Sequence, residues 1–341
     1  MKKFRVGMIG VGNISQSHHK MFSKIPERCE VIGMHDIRPE QAEKRHKEWG
    51  YRIFESRAAL LAEKPDCVWV MTPSKPRIEI FTDCFAAGCH VFTEKPLALN
   101  NEDAQTCVNL AKKHNRLLGF GANERHSPAP YTMAQLFFSG ALGGLIKVYA
   151  QTYIHRVNEF WAKKLQQPDA WRLTFEASGG RIFEFSIHLV NWVQWVGGDP
   201  QYVAGVNDAV SEALAKNGLD DVVSALFKFD KGYGVVETIM APGNRKPHRR
   251  DLGIIGTKGE CWISEAEEGG ESGQKVHIAI PGEKRNEAIE PTKCPSKAED
   301  FFDAIEQGRQ PLNDGAAALA TTRMCVAFNE SVRDKKIVFL K

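Results

Sequence analysis

The 341-residue sequence lacks the marks of membrane, secreted and nucleic-acid-binding chains. No apolar run approaches the roughly 20 residues that a membrane-crossing helix needs. The start, MKKFRVGMIG, passes from charge straight into a strand-like stretch, without the long apolar region and cleavage site of a secretory leader. Net charge is only +3 and there is no basic tail, so nothing drives the whole chain toward nucleic acid or a membrane surface. The eight cysteines (29, 67, 84, 89, 107, 261, 294 and 325) include no C-x-x-C pair, and Cys67 sits in the apolar run DCVWVM. They read as buried, reduced thiols rather than disulfides or a zinc site, which predicts a cytoplasmic protein without a metal. Repeats and low-complexity blocks are absent as well.

What is present is an ordinary globular balance, 43% hydrophobic and 26% charged, at a length that suits two domains. The first 120 or so residues alternate strand-like runs (4–10, 30–36, 66–72, 90–94, 116–122) with helix-like segments (15–24, 39–48, 76–87, 101–114). In the last of these helices Ala104, Cys107, Val108 and Ala111 keep three-and-four spacing. Such alternation predicts a doubly wound parallel sheet, and the unbroken apolar CVWVM fits a strand buried on both faces. After about residue 123 the rhythm changes. A helix-like segment (128–139) is followed by strand-like runs at 145–154, 202–210, 222–229, 233–240, 250–256 and 260–264. Helices are expected near 182–196, 296–307 and 314–333, and the polar stretch 265–275 reads as a surface loop. The expectation is therefore an α/β chain: a Rossmann domain over 1–123, then an α+β domain over 124–341 with a large, mostly antiparallel open sheet.

The stretch FRVGMIGVGNIS (4–15) carries glycines where a strand turns into a helix, although Ser15 replaces the third glycine of the usual dinucleotide fingerprint. Gly10 suits the tight turn and Gly12 a close backbone approach to a pyrophosphate at the helix's positive end; Ser15 is small enough for helix–strand packing. The second strand ends in Asp36, 24 residues after Gly12, near where an acid should accept hydrogen bonds from an adenosine ribose. The ordinary alternative for Asp36 is a cap for the helix that follows. An acid there repels a 2′-phosphate and favours NAD, whereas Arg38, beside Ile37, can pair with such a phosphate and leaves NADP open.

These motifs, with VMTPSKPRIEIFTDCFAAGCHVFTEKP (70–96), GFGANER (119–125), SGALGGLIKV (139–148) and SGGRIFEFSIHLVNWVQWVGGDP (178–200), resemble the glucose-fructose oxidoreductase/inositol dehydrogenase (Gfo/Idh/MocA) family along nearly the whole chain. The resemblance implies NAD(P) on an amino-terminal Rossmann domain and a second domain that supports substrate binding and oligomer contacts. It implies that Gly10, Gly12, Asn13, Ile14, Asp36, Thr72, Glu94, Lys95 and Asn123 line the cofactor, with Ile37, Arg38 and Pro73 beside them. It also suggests a cis Lys95-Pro96 bond. The family's acid-x-x-x-His site usually carries aspartate; here the pair is Glu184 and His188, with an acid one methylene longer.

Oxidising an alcohol needs a base for the hydroxyl proton, and histidine titrates in the right range. On a helix Glu184 and His188 share a face. His188 is thus the candidate general acid/base, Glu184 its tuner or a sugar-hydroxyl ligand, and Lys95 the charge that stabilises a developing alkoxide. Ordinary alternatives are a helix-face hydrogen bond for the pair and a surface residue for Lys95. His18 reads as a packing or capping residue of the first helix. A second tier of Arg125, Arg156, Trp171 and Arg172, with His155, Trp161, Lys163, Lys164, Arg181 and the basic loop 243–251, either grips an anionic sugar group or forms solvated loops and oligomer contacts. The expected function is hydride transfer between a secondary hydroxyl of a sugar, cyclitol or derivative and NAD(P), by a homodimer or homotetramer. The alternative is a redox-neutral glycosidase working through a transient keto-sugar and elimination. A non-catalytic cofactor-binding regulator is disfavoured because both Lys95 and His188 are present.

Overall fold

In the computed structural model, residues 2–154, 158–167, 170–240, 249–265 and 274–340 are described. The chain forms two compact units, Met1–Ala122 with Pro295–Leu319, and Asn123–Cys294 with Ala320–Lys341.

The first unit contains β1 (Phe4–Ile9), α1 (Ser15–Phe22), β2 (Cys29–His35), α2 (Pro39–Trp49), α3 (Arg57–Ala62), β3 (Cys67–Val70), α4 (Arg77–Ala86), β4 (His90–Thr93), α5 (Asn101–Lys113) and β5 (Leu118–Phe120). Its five strands run in the order β2-β1-β3-β4-β5, every pair parallel. All four residues of β3 are buried, as its unbroken apolar run predicts. The order reverses between β1 and β3, and in open α/β sheets ligands bind at the carboxyl ends of the strands flanking that switch point. Helix α3 was not anticipated: RAALLA is short, and its start is set by Ser56, whose hydroxyl accepts from the Ala59 amide at 3.1 Å.

The boundary after Ala122 lies one residue from the expected one, but residues 295–319 belong with the first unit rather than with 124–341. Aromatic packing explains why. Phe302 stacks on Phe4 (centroids 4.7 Å apart), and Phe301 meets the fully buried Trp69 edge-on at 5.5 Å. Arg28 adds ion pairs to Asp303 (2.8 Å) and Glu306 (3.3 Å).

The rest of the chain adds α6 (Pro128–Phe138), β6 (Leu145–Tyr153), α7 (Asn158–Leu165), α8 (Phe175–Ser178), α9 (Ile187–Gly197), β7 (Tyr202–Asp208), α10 (Glu212–Ala215), β8 (Val222–Lys228), β9 (Tyr233–Ile239), β10 (Arg249–Gly256), β11 (Glu260–Glu265), β12 (Val276–Ile280), β13 (Arg285–Ile289), α11 (Lys297–Gln307), α12 (Gly315–Asp334) and β14 (Val338–Phe339). Nine strands form one sheet, β13-β12-β11-β10-β6-β9-β8-β7-β14, in which only β6 and β9 pair in parallel among the described residues. Burial alternates along β8 and β9, so one face is covered and the other half-exposed. Helix α9 lies on the covered face, where Ser186 donates to Thr238 of β9 at 2.8 Å. Strands β12 to β14 escaped the sequence reading because they are short and, in β13, largely polar. No helix among the described residues is long and apolar enough to cross a membrane.

Candidate active site

Within the first unit, the turn from β1 into α1 shows why two glycines stand where they do. Gly10 has φ +79°, and a Cβ there would lie 3.0 Å from the Thr72 amide nitrogen and 3.1 Å from the Met71 carbonyl carbon. Backbone conformation and the β3 strand end thus both require glycine. Gly12 differs: a Cβ would meet nothing within 4 Å. The fold leaves that space open. Among the described residues the amides of Gly12, Asn13 and Ile14 donate no hydrogen bond, and Ile14 caps α1 without a side-chain acceptor. Unsatisfied amides at a helix's positive end, beside open space, fit a pyrophosphate.

The side chain of Asp36, just after β2, is largely covered. Its carboxylate accepts from the Val11 amide (2.7 Å) and the Arg38 amide (2.9 Å), and Arg38 Nε lies 3.8 Å away. It therefore clamps the glycine loop and the turn before α2, whose own N-cap, Arg38, has no side-chain cap bond. A carboxylate has about four acceptor positions, so two remain for ribose hydroxyls. Ile37 is 89% exposed. The sequence reading missed Arg45, which is buried in α2 and donates to the Val11 carbonyl and the Gly12 carbonyl, both at 3.3 Å. An isolated arginine on a helix gives no warning of that role.

The Thr72-Pro73 turn follows β3, and Glu94-Lys95-Pro96 follows β4. The Lys95-Pro96 peptide is cis. Arg77 ties the two turns, donating to the Thr72 carbonyl (2.6 Å) and to the Pro96 carbonyl. Burial pulls the Arg77 guanidinium down to about 10, against the Glu94 charge that supports it, so it stays protonated at neutral pH. Glu94 is buried and bonded to His18 (2.8 Å) and to the Lys95 amide (3.2 Å). His18 therefore does more than pack: it links α1 to the Glu94 turn.

In the second unit, His188 sits in the first turn of α9, and its Nδ1 accepts from the Asn123 amide at 3.1 Å. A neutral ring so held carries its proton on Nε2. The helix that the sequence places over 182–196 starts as a π-helical turn, Ile182–Ser186, which carries Glu184; such turns recur at functional sites. Glu184 pairs with Arg172 at 2.8 Å, which joins two of the expected substrate residues. Arg125, expected at the substrate, is instead buried: it donates to Asn191 Oδ1 (3.1 Å) and Gln194 Oε1 (2.7 Å) and lies over the Trp195 ring. Its guanidinium N–H groups are engaged by α9, which argues against a substrate role. Arg181 is likewise buried over Trp161, and burial lowers its pKa against the opposing charges of Asp220, Glu184 and Asp221. Arg156, His155, the Trp171 side chain and residues 241–248 and 266–273 lie outside the described residues. Among the described residues, no cluster of histidine, cysteine and acids is arranged to hold a metal. The cysteines are free, and burial raises the thiol pKa to about 11 at Cys89 and about 12 at Cys107 and Cys261.

Residues 4–122 match the family described as oxidoreductase family, NAD-binding Rossmann fold, and residues 131–261 match the GFO/IDH/MocA C-terminal domain. The chain belongs to the GFO/IDH/MocA oxidoreductase family. Residues 4–122 are that family's NAD-binding domain, and NAD when bound supplies the hydride acceptor; the open amides of Gly12, Asn13 and Ile14 could hold the pyrophosphate and Asp36 the adenosine ribose. The myo-inositol 2-dehydrogenase of Thermotoga maritima is 22% identical, covering 99% of this chain and 98% of that protein. The D-glucoside 3-dehydrogenase of Escherichia coli is 26% identical over 58% of this chain and 54% of its own length. The UDP-N-acetylglucosamine 3-dehydrogenase of Acidithiobacillus ferrooxidans is 31% identical over 40% and 43%. This chain thus spans about half the length of those two relatives. Among solved structures, the WlbA dehydrogenase of Bordetella pertussis, in complex with NADH and UDP-GlcNAcA, superposes with a TM-score of 0.82 at 21% identity, covering 100% of this chain and 99% of that one. That likeness concerns the fold.

Proposed function

We propose that this chain oxidises a secondary hydroxyl of a sugar, cyclitol or sugar derivative with NAD, Lys95 and His188 assisting proton transfer. The observation that carries the reading is the imidazole of His188, held by the Asn123 amide at 3.1 Å on a helix entered through a π turn. With Nδ1 accepting, Nε2–H donates to a substrate oxygen and orients it; to act as base the ring must carry its proton on Nδ1 instead, giving up the Asn123 bond, so that Nε2 takes the hydroxyl proton and the ring becomes an imidazolium. Lys95 offers an ammonium to the developing alkoxide. Glu184, partly neutralised by Arg172, positions sugar hydroxyls, and Arg172 stands beside it as one of the expected anion contacts. Relatives named as glucoside, inositol and UDP-sugar dehydrogenases support the substrate class. The half-exposed face of the nine-stranded sheet supports self-association as a homodimer or homotetramer, to be read by light scattering of the purified chain.

The test is a panel of myo-inositol, glucose, glucuronate, UDP-N-acetylglucosamine and nitrophenyl glucosides, each with NAD and with NADP, following coenzyme absorbance and aglycone release. Net NADH formation that is lost in Lys95→Met and His188→Asn supports the dehydrogenase. Aglycone release without net NADH replaces it with the redox-neutral glycosidase. Unchanged turnover in both variants refutes the assignment of those residues.

A further inference from the structure

We propose that Lys297, at the start of α11, is a positioning residue for Lys95, acting through the buried carboxylate of Glu94. The inference rests on the proposed role of Lys95. A lysine in the first turn of a helix opposes the helix dipole, so helix stability does not explain its place there. Tertiary contacts do. Its ammonium donates to the Gly121 carbonyl at 2.8 Å and stands 3.9 Å from Glu94 Oε1, with only 16% of the side chain exposed.

The partners around Glu94 define its charge. The Trp69 indole can only donate, and it does so to His18 Nδ1 at 3.0 Å; His18 must then be neutral and give its Nε2–H to Glu94 Oε1 at 2.8 Å. The other oxygen, Oε2, accepts from the Lys95 amide at 3.2 Å. Every one of these partners is a donor, so Glu94 is held as a carboxylate, and a buried carboxylate needs a cation. Lys297 supplies it, with Arg77 also feeling the Glu94 charge. The close fit leaves little slack: a Cβ on Gly121 would lie 2.8 Å from Glu94 Oε1. Lys297 thus braces the residue whose carboxylate holds the Lys95 backbone, and it offsets a negative charge one residue away from Lys95 in the chain.

The test uses trace labelling of the whole chain with acetic anhydride across pH, with modification at Lys95 read by mass spectrometry. NADH fluorescence titration and thermal melting report on the cofactor loop and on folding. In Lys297→Met the unbalanced Glu94 charge keeps Lys95 protonated to higher pH, so its labelling near neutrality slows by about threefold or more. Lys297→Arg restores the wild-type profile, and in a Glu94→Gln background Lys297→Met has no further effect. An unchanged Lys95 profile in Lys297→Met, with NADH binding and melting intact, overturns the inference. So does an equal change in the Glu94→Gln background, or a Lys297→Met chain that slows every lysine alike. Since labelling needs no turnover, its failure is separate from that of the dehydrogenase reading, which turns on Lys95→Met.

Discussion

Two alanine substitutions two residues apart in the same loop should act on different properties. At Gly12 an added Cβ meets nothing within 4 Å, and the residue is outside the left-handed backbone region. Without coenzyme, Gly12→Ala should leave the fold intact or stabilise it by about 0.4–1 kcal/mol, because alanine has less freedom to lose. With coenzyme the same methyl stands where a pyrophosphate approaches the unsatisfied amides. Losing one charge-assisted hydrogen bond costs about 1.5–3 kcal/mol, which weakens NADH by about 10- to 150-fold. Gly10→Ala should behave in the opposite way. The left-handed conformation at φ +79° and contacts of 3.0–3.1 Å with the Thr72 and Met71 backbone give a destabilisation of about 2–5 kcal/mol, bound or not. Thermal melting without coenzyme and NADH fluorescence titration separate the two. Undiminished NADH affinity in Gly12→Ala, or a lowered melting point in its absence, would refute the reasoning.

Other outcomes follow from the same geometry. His90 is half-buried at the start of β4 and its Nδ1 accepts from the Leu117 amide at 3.0 Å; loss of water, aided by Arg116, lowers its pKa to about 4. The unfolded ring titrates near 6.5, so stability is full above that pH and declines as pH falls from 6.5 toward 4, by roughly 2 kcal/mol after allowance for partial exposure. Urea midpoints of wild type and His90→Gln between pH 7.5 and 4.5 check this; equal slopes reject it. Phe301→Ala should cost about 3–5 kcal/mol in urea unfolding, since the ring packs on Trp69 and Phe92. Asp36→Ala should weaken NADH and narrow its advantage over NADPH, because the Val11 and Arg38 amides lose their acceptor while Arg38 loses its counter-charge; fluorescence titration with both coenzymes reads it, and an unchanged ratio counts against the ribose role.

The alternation of buried strands and helices, the glycine turn after β1 and the acid ending β2 were legible from neighbours along the chain. So was a helix running through Glu184 and His188, although not the π turn that carries the first of them. Arg125 shows the limit. A guanidinium in an apparent motif looks available for substrate, and only the fold reveals Asn191 and Gln194 already bonded to it. Arg45 shows the reverse, a surface-like helix residue that holds the glycine loop from behind.

From the sequence alone came the α/β architecture, the dinucleotide loop and the residue types able to move a proton, because periodicity, turn chemistry and side-chain pKa are properties of short segments. Tertiary structure alone decided that residues 295–319 complete the first unit, that a backbone amide orients His188, and that Lys297 stands 3.9 Å from Glu94. Those outcomes depend on which groups lose water together, and residues far apart in the chain meet only when the core closes around them.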